Sequence, residues 1–152
     1  DMKTFSNTLV AALIAGSLAW SLSVKAAPEL LQLKLGDGVL DVEIAVTQSQ
    51  RSQGLMNRKS MASSRGMLFA YPAPAYFCMW MKNTLIDLDV AFADSNRVIL
   101  NIEPMKAGTA DIHCSSGSAR FALEMNQGWF LKLGIEAGEQ LHLPEQAKDT
   151  QP

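Results

Sequence analysis

Phe77-Cys78-Met79-Trp80-Met81-Lys82-Asn83-Thr84-Leu85-Ile86-Asp87-Leu88-Asp89 is the stretch in which large apolar and reactive polar side chains are most densely interleaved. Read at period two, its first half puts Phe77, Met79 and Met81 on one strand face and Cys78, Trp80 and Lys82 on the other. Its second half opens another strand, with Ile86, Leu88, Val90 and Phe92 together and Asp87 and Asp89 opposite them. Lys82, Asn83 and Thr84 fill the bend between the two. A cation, an amide, a hydroxyl and two carboxylates therefore fall within a few residues of an indole. Trp80, Lys82, Asn83, Thr84 and Asp89 are the candidate ligand-binding residues.

Upstream, Leu30 to Leu35 and Val39 to Val46 flank Gly36-Asp37-Gly38, which reads as a hairpin. Thr47 suits the N-cap of a short helix through Gln53, with Gly54 ending it. The polar loop from Asn57 to Arg65 carries Arg58, the sixth candidate ligand residue, although a loop arginine is more commonly solvated or paired with a carboxylate. Gly66 to Tyr71 reads as a buried strand broken by Pro72 and Pro74. Downstream, the turn at Ala93 to Arg97 leads into a return strand from Val98 to Ile102. The stretch from Pro104 to Ser118 is long and irregular, so it is either functional or stapled down. Ala119 to Met125 is a strand with Phe121 and Leu123 on one face and Arg120, Ala122 and Glu124 on the other. Asn126 is the expected N-cap of a second helix from Gln127 to Leu133, and Gln140 to Leu143 the last strand. The expected fold is mainly β, a compact antiparallel barrel or sandwich with two short helices.

Several of these residues also carry a resemblance. Gly54-Leu55-Met56 with Arg58, Arg65-Gly66-Met67-Leu68-Phe69, Trp80-Met81-Lys82-Asn83-Thr84 with Leu85-Ile86 and Leu88-Asp89, Ala122-Leu123-Glu124, Gly128-Trp129 and Gly134-Ile135 occur in that order. The sequence resembles the prokaryotic family known as domain of unknown function 192 over roughly Leu30 to Leu143. The resemblance implies a compact β-rich domain, often exported, with no settled biochemical role. Asp87 stands where it implies proline.

At 152 residues and 48% hydrophobic content the chain suits one domain, and a net charge of -2 gives no electrostatic footprint for nucleic acid. Lys3, an apolar run from about Leu9 to Leu22 and Val24-Lys25-Ala26 have the grammar of a secretory signal cleaved after Ala26. An uncleaved anchor is the rival, but Gly16, Ser17 and Ser21 interrupt a run already short for a span. The expected organisation is a signal over residues 1 to 26, a single domain over 27 to 143 and a disordered tail over 144 to 152. The domain is expected in the periplasm or outside the cell, without stable membrane insertion. Export makes a Cys78 to Cys114 disulfide the default for a two-cysteine chain.

Three chemistries compete for the central stretch. A binding or accessory domain, without enzymatic activity or cofactor, would use the Trp80 to Thr84 pocket for a small polar ligand or envelope component. A carbohydrate-acting enzyme would use Asp87 and Asp89, about 6 to 7 Å apart by strand rise and so near glycosidase separations. Copper handling would use Cys78, Cys114, Met79, Met81 and His113, although methionines are the usual fillers of irregular cores and no dedicated metal site is expected. A Cys-His nucleophile is disfavoured, because His113 and Cys114 are chain neighbours that point opposite ways in an extended strand. Asp89 is expected to pair with Lys82 or to cap the Lys82 to Thr84 bend.

Overall fold

The computed structural model describes residues 27–143; the expected signal segment and C-terminal tail lie outside them. Gly36, at φ +54°, turns β1 (Leu30–Leu35) back into β2 (Gly38–Ala45) as an antiparallel hairpin. Thr47 caps α1 (Gln48–Gln53) through a full capping box, its hydroxyl accepting from Gln50 N–H while the Gln50 side chain accepts from Thr47 N–H. The chain then returns as β3 (Arg65–Ala75), parallel to β2. This parallel pair corrects the expectation of an all-antiparallel sheet: a connection of this length, containing a helix, brings the chain back to the end from which β2 started.

The central stretch does not fold back on itself. β4 (Cys78–Trp80) pairs with β7 (Ile112–Cys114) in a small two-stranded sheet, whereas β5 (Leu88–Ala93) joins the large sheet between β6 (Ile99–Met105) and β8 (Ala119–Asn126). The large sheet has the order β1-β2-β3-β8-β5-β6. Its ladder is not a closed barrel, but bridges from Lys34 to His142 and from Val98 to Gln140 tie its two outer strands to one segment. The expected last strand is reduced to those bridges. The strand before the two prolines also runs further than expected, to Ala75, with a register shift after Ala70 where Pro72 and Pro74 have no ladder bond to give.

Alternation in the inner strands feeds two separate cores. Leu68, Ala91, Leu123 and Met125 face one way with Leu33, Leu35, Phe130, Ile135 and Leu141. Met67, Phe69, Leu88, Val90, Phe92 and Ala122 face the other, where Met79 and Met81 of the central stretch and Leu55 cover them. The expected facing of Leu88, Val90 and Phe92 together, and of Met79 with Met81, is what the packing uses. Gly66 is required where β3 and β8 meet, because a Cβ there would stand 2.3 Å from Met125 Sδ and 2.5 Å from the Glu124 carbonyl oxygen.

The second helix is shorter than expected, α2 (Trp129–Lys132), and its N-cap is Gly128 in left-handed geometry rather than Asn126. Asn126 remains in β8 and its amide donates to the Met61 and Ala62 carbonyls. Asp89 takes the Gly128 N–H instead, at 2.7 Å.

Cys78 and Cys114 are disulfide-bonded across the β4–β7 pair, closing a loop with a sequence separation of 36. Three-residue strands are too short to hold themselves over a core, so the covalent tie fixes the cover of the second cluster. Replacing both cysteines by serine should cost about 3 kcal/mol through loop entropy and lower the melting temperature by roughly 10 °C, with the six-stranded sheet retained by circular dichroism.

Candidate functional site

The covering sheet leaves a cavity of about 340 Å³ between itself, the C-terminal end of α1 and the second-core face of β3 and β8. Leu55, Met56, Phe69 and Met79 give it apolar walls; Gln48, Ser52, Gln53 and Thr84 supply polar groups, and Trp80 stands at the mouth. Trp80 is 55% exposed beside the opening. Arg51 lies over the Tyr71 ring at 4.8 Å and donates through Nη1 to the Ala70 carbonyl at 3.1 Å and to the Val46 carbonyl. The Tyr71 hydroxyl donates to Met79 Sδ at 3.7 Å, and burial pushes its pKa up.

Of the six residues expected to bind ligand, Trp80 and Thr84 line this cavity. Thr84 is buried, its hydroxyl donating to the Lys82 carbonyl at 3.3 Å and its N–H to the Met81 carbonyl. Lys82 is exposed and places its ammonium 5.1 Å from the centroid of Trp80, beside the mouth rather than inside. Asn83 adopts φ +54° to turn the bend, and its carbonyl accepts from Asn57 N–H. Arg58 forms a two-pronged ion pair with Glu43, Nη1 to Oε1 at 2.5 Å and Nη2 to Oε2 at 2.7 Å. That bond holds the Glu43 carboxyl below the usual range.

Asp89 neither pairs with Lys82 nor caps its bend. Its carboxylate faces Gly128, and burial raises its pKa in spite of the Gly128 N–H. Asp87 precedes β5 and is bound by Lys106 Nζ and Ala107 N–H, both at 2.8 Å, which lower its pKa. The two carboxylates thus have separate structural partners, and neither lines the cavity. The copper alternative loses its thiolates to the disulfide, while Met81 is fully buried in the core. Among the described residues no group of three or more His, Cys, Asp or Glu side chains is arranged to hold a metal.

Glu124 is absent from the candidates that sequence alone offers. It sits on β8 between Met67 of β3 and Val90 of β5, 4% exposed, and its carboxyl lines the cavity. Burial alone pushes its pKa up to about 8, with no hydrogen bond or charge among the described residues to offset it. Its signal was present in the sequence as an acid on the strand face shared with Ala122, within the Ala122-Leu123-Glu124 motif.

A family model for DUF192, described as uncharacterized ACR, matches residues 31–143. The chain belongs to this family. Two solved structures resemble this DUF192 domain closely. One, from Sinorhizobium meliloti 1021, is 35% identical with a TM-score of 0.74, covering 78% of this chain and 97% of its own, and its description assigns it provisionally to transcription regulation. The other, of unknown function from Novosphingobium aromaticivorans DSM 12444, is 26% identical with a TM-score of 0.73, covering 90% of this chain and 99% of its own. Among curated proteins none matches the chain.

Two outcomes follow from these positions. Glu124 holds its proton between pH 4.5 and about 8 in the folded state and loses it near 4.5 when unfolded, so stability should fall as pH rises through that window. Glu124→Gln cannot ionise: calorimetry should find it near wild type at pH 4 and more stable by on the order of 4 kcal/mol at pH 9. Lys82→Met should shift the melting temperature by less than about 3 °C, because no buried carboxylate depends on the ammonium. A drop above about 10 °C would instead make Lys82 a structural residue.

Proposed function

We propose that this DUF192 domain is an exported binding or accessory domain, periplasmic or secreted, whose cavity beside the Trp80 to Thr84 segment takes a small polar ligand or an envelope component. The observation that carries the reading is the cavity itself, a space lined by apolar and polar side chains alike, with an acid at its floor that has no partner among the described residues and an exposed indole at its mouth. Binding pockets combine apolar surface with a few convergent polar groups, and this lining sets Leu55, Met56, Phe69 and Met79 beside Gln48, Arg51, Ser52, Gln53 and Thr84. The disulfide suits an oxidising compartment, and no helix among the described residues is long and apolar enough to cross a membrane. The provisional description of the Sinorhizobium protein is not carried over, because a net charge of -2 offers no overall electrostatic attraction for nucleic acid. Carbohydrate hydrolysis by Asp87 and Asp89 is not favoured, since their oxygens are engaged away from the cavity.

Native mass spectrometry of protein purified from its own envelope fraction tests the reading. A non-covalent mass that departs on denaturation, and that Trp80→Ala reduces at least tenfold in occupancy while melting within about 3 °C of wild type, is the expected result. A bare mass in every gentle preparation, or an unprocessed chain retained in the membrane fraction, would defeat it.

A further inference from the structure

Two buried carboxyls occupy one row of the large sheet. Glu43 of β2 and Glu124 of β8 are the neighbours of Met67 on either side of β3. Both are nearly inaccessible, at 8% and 4%. The fold gives Glu43 an arginine that meets both its oxygens, and gives Glu124 nothing. A buried polar group without a partner is costly and rare in a packed interior. Here it lines an open cavity, where a ligand can supply what the protein does not.

The surroundings decide which ligand. Besides Glu124, the charged side chain of the lining is Arg51, a cation; Lys82, a second cation, stands outside over Trp80. Tyr71 faces the same space from β3, close enough that an ionised Glu124 would hold its phenol proton more tightly. Beyond these, Glu43 is paired with Arg58, Glu103 of β6 stands past Val90 in the same row and accepts from Asn101, and His113 of β7 lies opposite Met79 outside the lining. A cationic ligand would have to ionise Glu124 where burial disfavours the charge, a penalty of about tenfold at pH 7, and would then sit beside Arg51. An anion would lose its hydration against Leu55, Met56, Phe69 and Met79, while Arg51 Nη1 is already given to two backbone carbonyls. A neutral carboxylic acid has one O–H to donate and a carbonyl oxygen to accept with, and it matches an uncharged carbonyl or hydroxyl. The volume of about 340 Å³ lies at the small end of ligand pockets, on the scale of one ring rather than a chain.

We propose, building on the binding-domain reading, that Glu124 in its neutral acid form receives an uncharged, oxygen-bearing ring such as a monosaccharide amide, donating its O–H to a ligand oxygen while the exposed Trp80 covers the ligand's apolar face. The side chain is a binding residue whose protonation gates occupancy: ligand is held at neutral pH and released as Glu124 ionises.

The test uses the full mature chain, with N-acetylglucosamine as the uncharged probe and tetramethylammonium as a permanent cation, followed by NMR on the Glu124 carboxyl carbon and the Trp80 indole from pH 6 to pH 9. N-acetylglucosamine should shift both signals at pH 6, with affinity falling about tenfold by pH 9 as a group titrating near 8 ionises. Glu124→Gln, which keeps a donor and cannot ionise, should bind the sugar with no pH dependence, and Glu124→Ala should bind it at neither pH. Direct titration of the wild-type carboxyl keeps the test decisive if either variant fails to fold: a midpoint near the ordinary glutamate value overturns the proposal. Tetramethylammonium binding that tightens as pH rises would overturn it by making the carboxylate the binding form, yet would leave the cavity a binding site. Silence of both signals with N-acetylglucosamine would also overturn it, while the native mass measurement decides the broader reading separately.

Discussion

Strand β8 is covered on both faces. Phe121, Leu123 and Met125 point into the core closed by Phe130, Ile135 and Leu141, and Ala119 and Ala122 point into the second core. The first face is covered by Leu33, Leu35, Leu40 and Val42 of the β1–β2 hairpin and by the segment from α2 to Leu141, which follows β8 directly in the chain. The second depends on β4 and β7, two strands of three residues each, brought from separate parts of the sequence. Strands that short do not persist alone in water. The Cys78–Cys114 bond makes them one unit, and that unit turns the β8 face from an open sheet surface into the floor of a cavity.

Once that face is buried, an acid on it is favoured either paired or neutral. Glu43 meets the requirement with Arg58, whose loop is held through the bond from Asn57 N–H to the Asn83 carbonyl. Glu124 meets it by keeping its proton, so it weighs against folding at every pH above the ordinary glutamate value. Held without a partner beside an opening, such a group is a departure from best packing of the kind that functional sites retain. The central stretch divides its labour accordingly. Met79 and Met81 close the core, Trp80 and Thr84 border the cavity, and Asp89 fixes the start of α2 through Gly128.

What local chemistry governs was readable from the chain alone. The hairpin at Gly36, the Thr47 cap, the alternation through Phe77 to Lys82, the shared face of Leu88, Val90 and Phe92 and the pairing of two cysteines each follow from rules spanning a few residues or from the count of sulfurs. Strand partners did not follow from such rules. The bend at Lys82 to Thr84 has the look of a site's centre because its polar groups are adjacent in sequence, but the bend turns Lys82 and Asn83 outward, keeps Thr84 against the cavity and sends its two strands to different sheets. Asp89 was matched to the nearest cation along the chain, whereas in space the free N–H of Gly128 is the closer claim. Period two placed Glu124 beside Ala122 and Arg120 and gave that face a polar character. Alternation determines which side chains share a face; how far the face meets water depends on what crosses it, and only the tertiary structure brings the disulfide-bound β4–β7 pair over that face and buries Glu124 beneath the cavity.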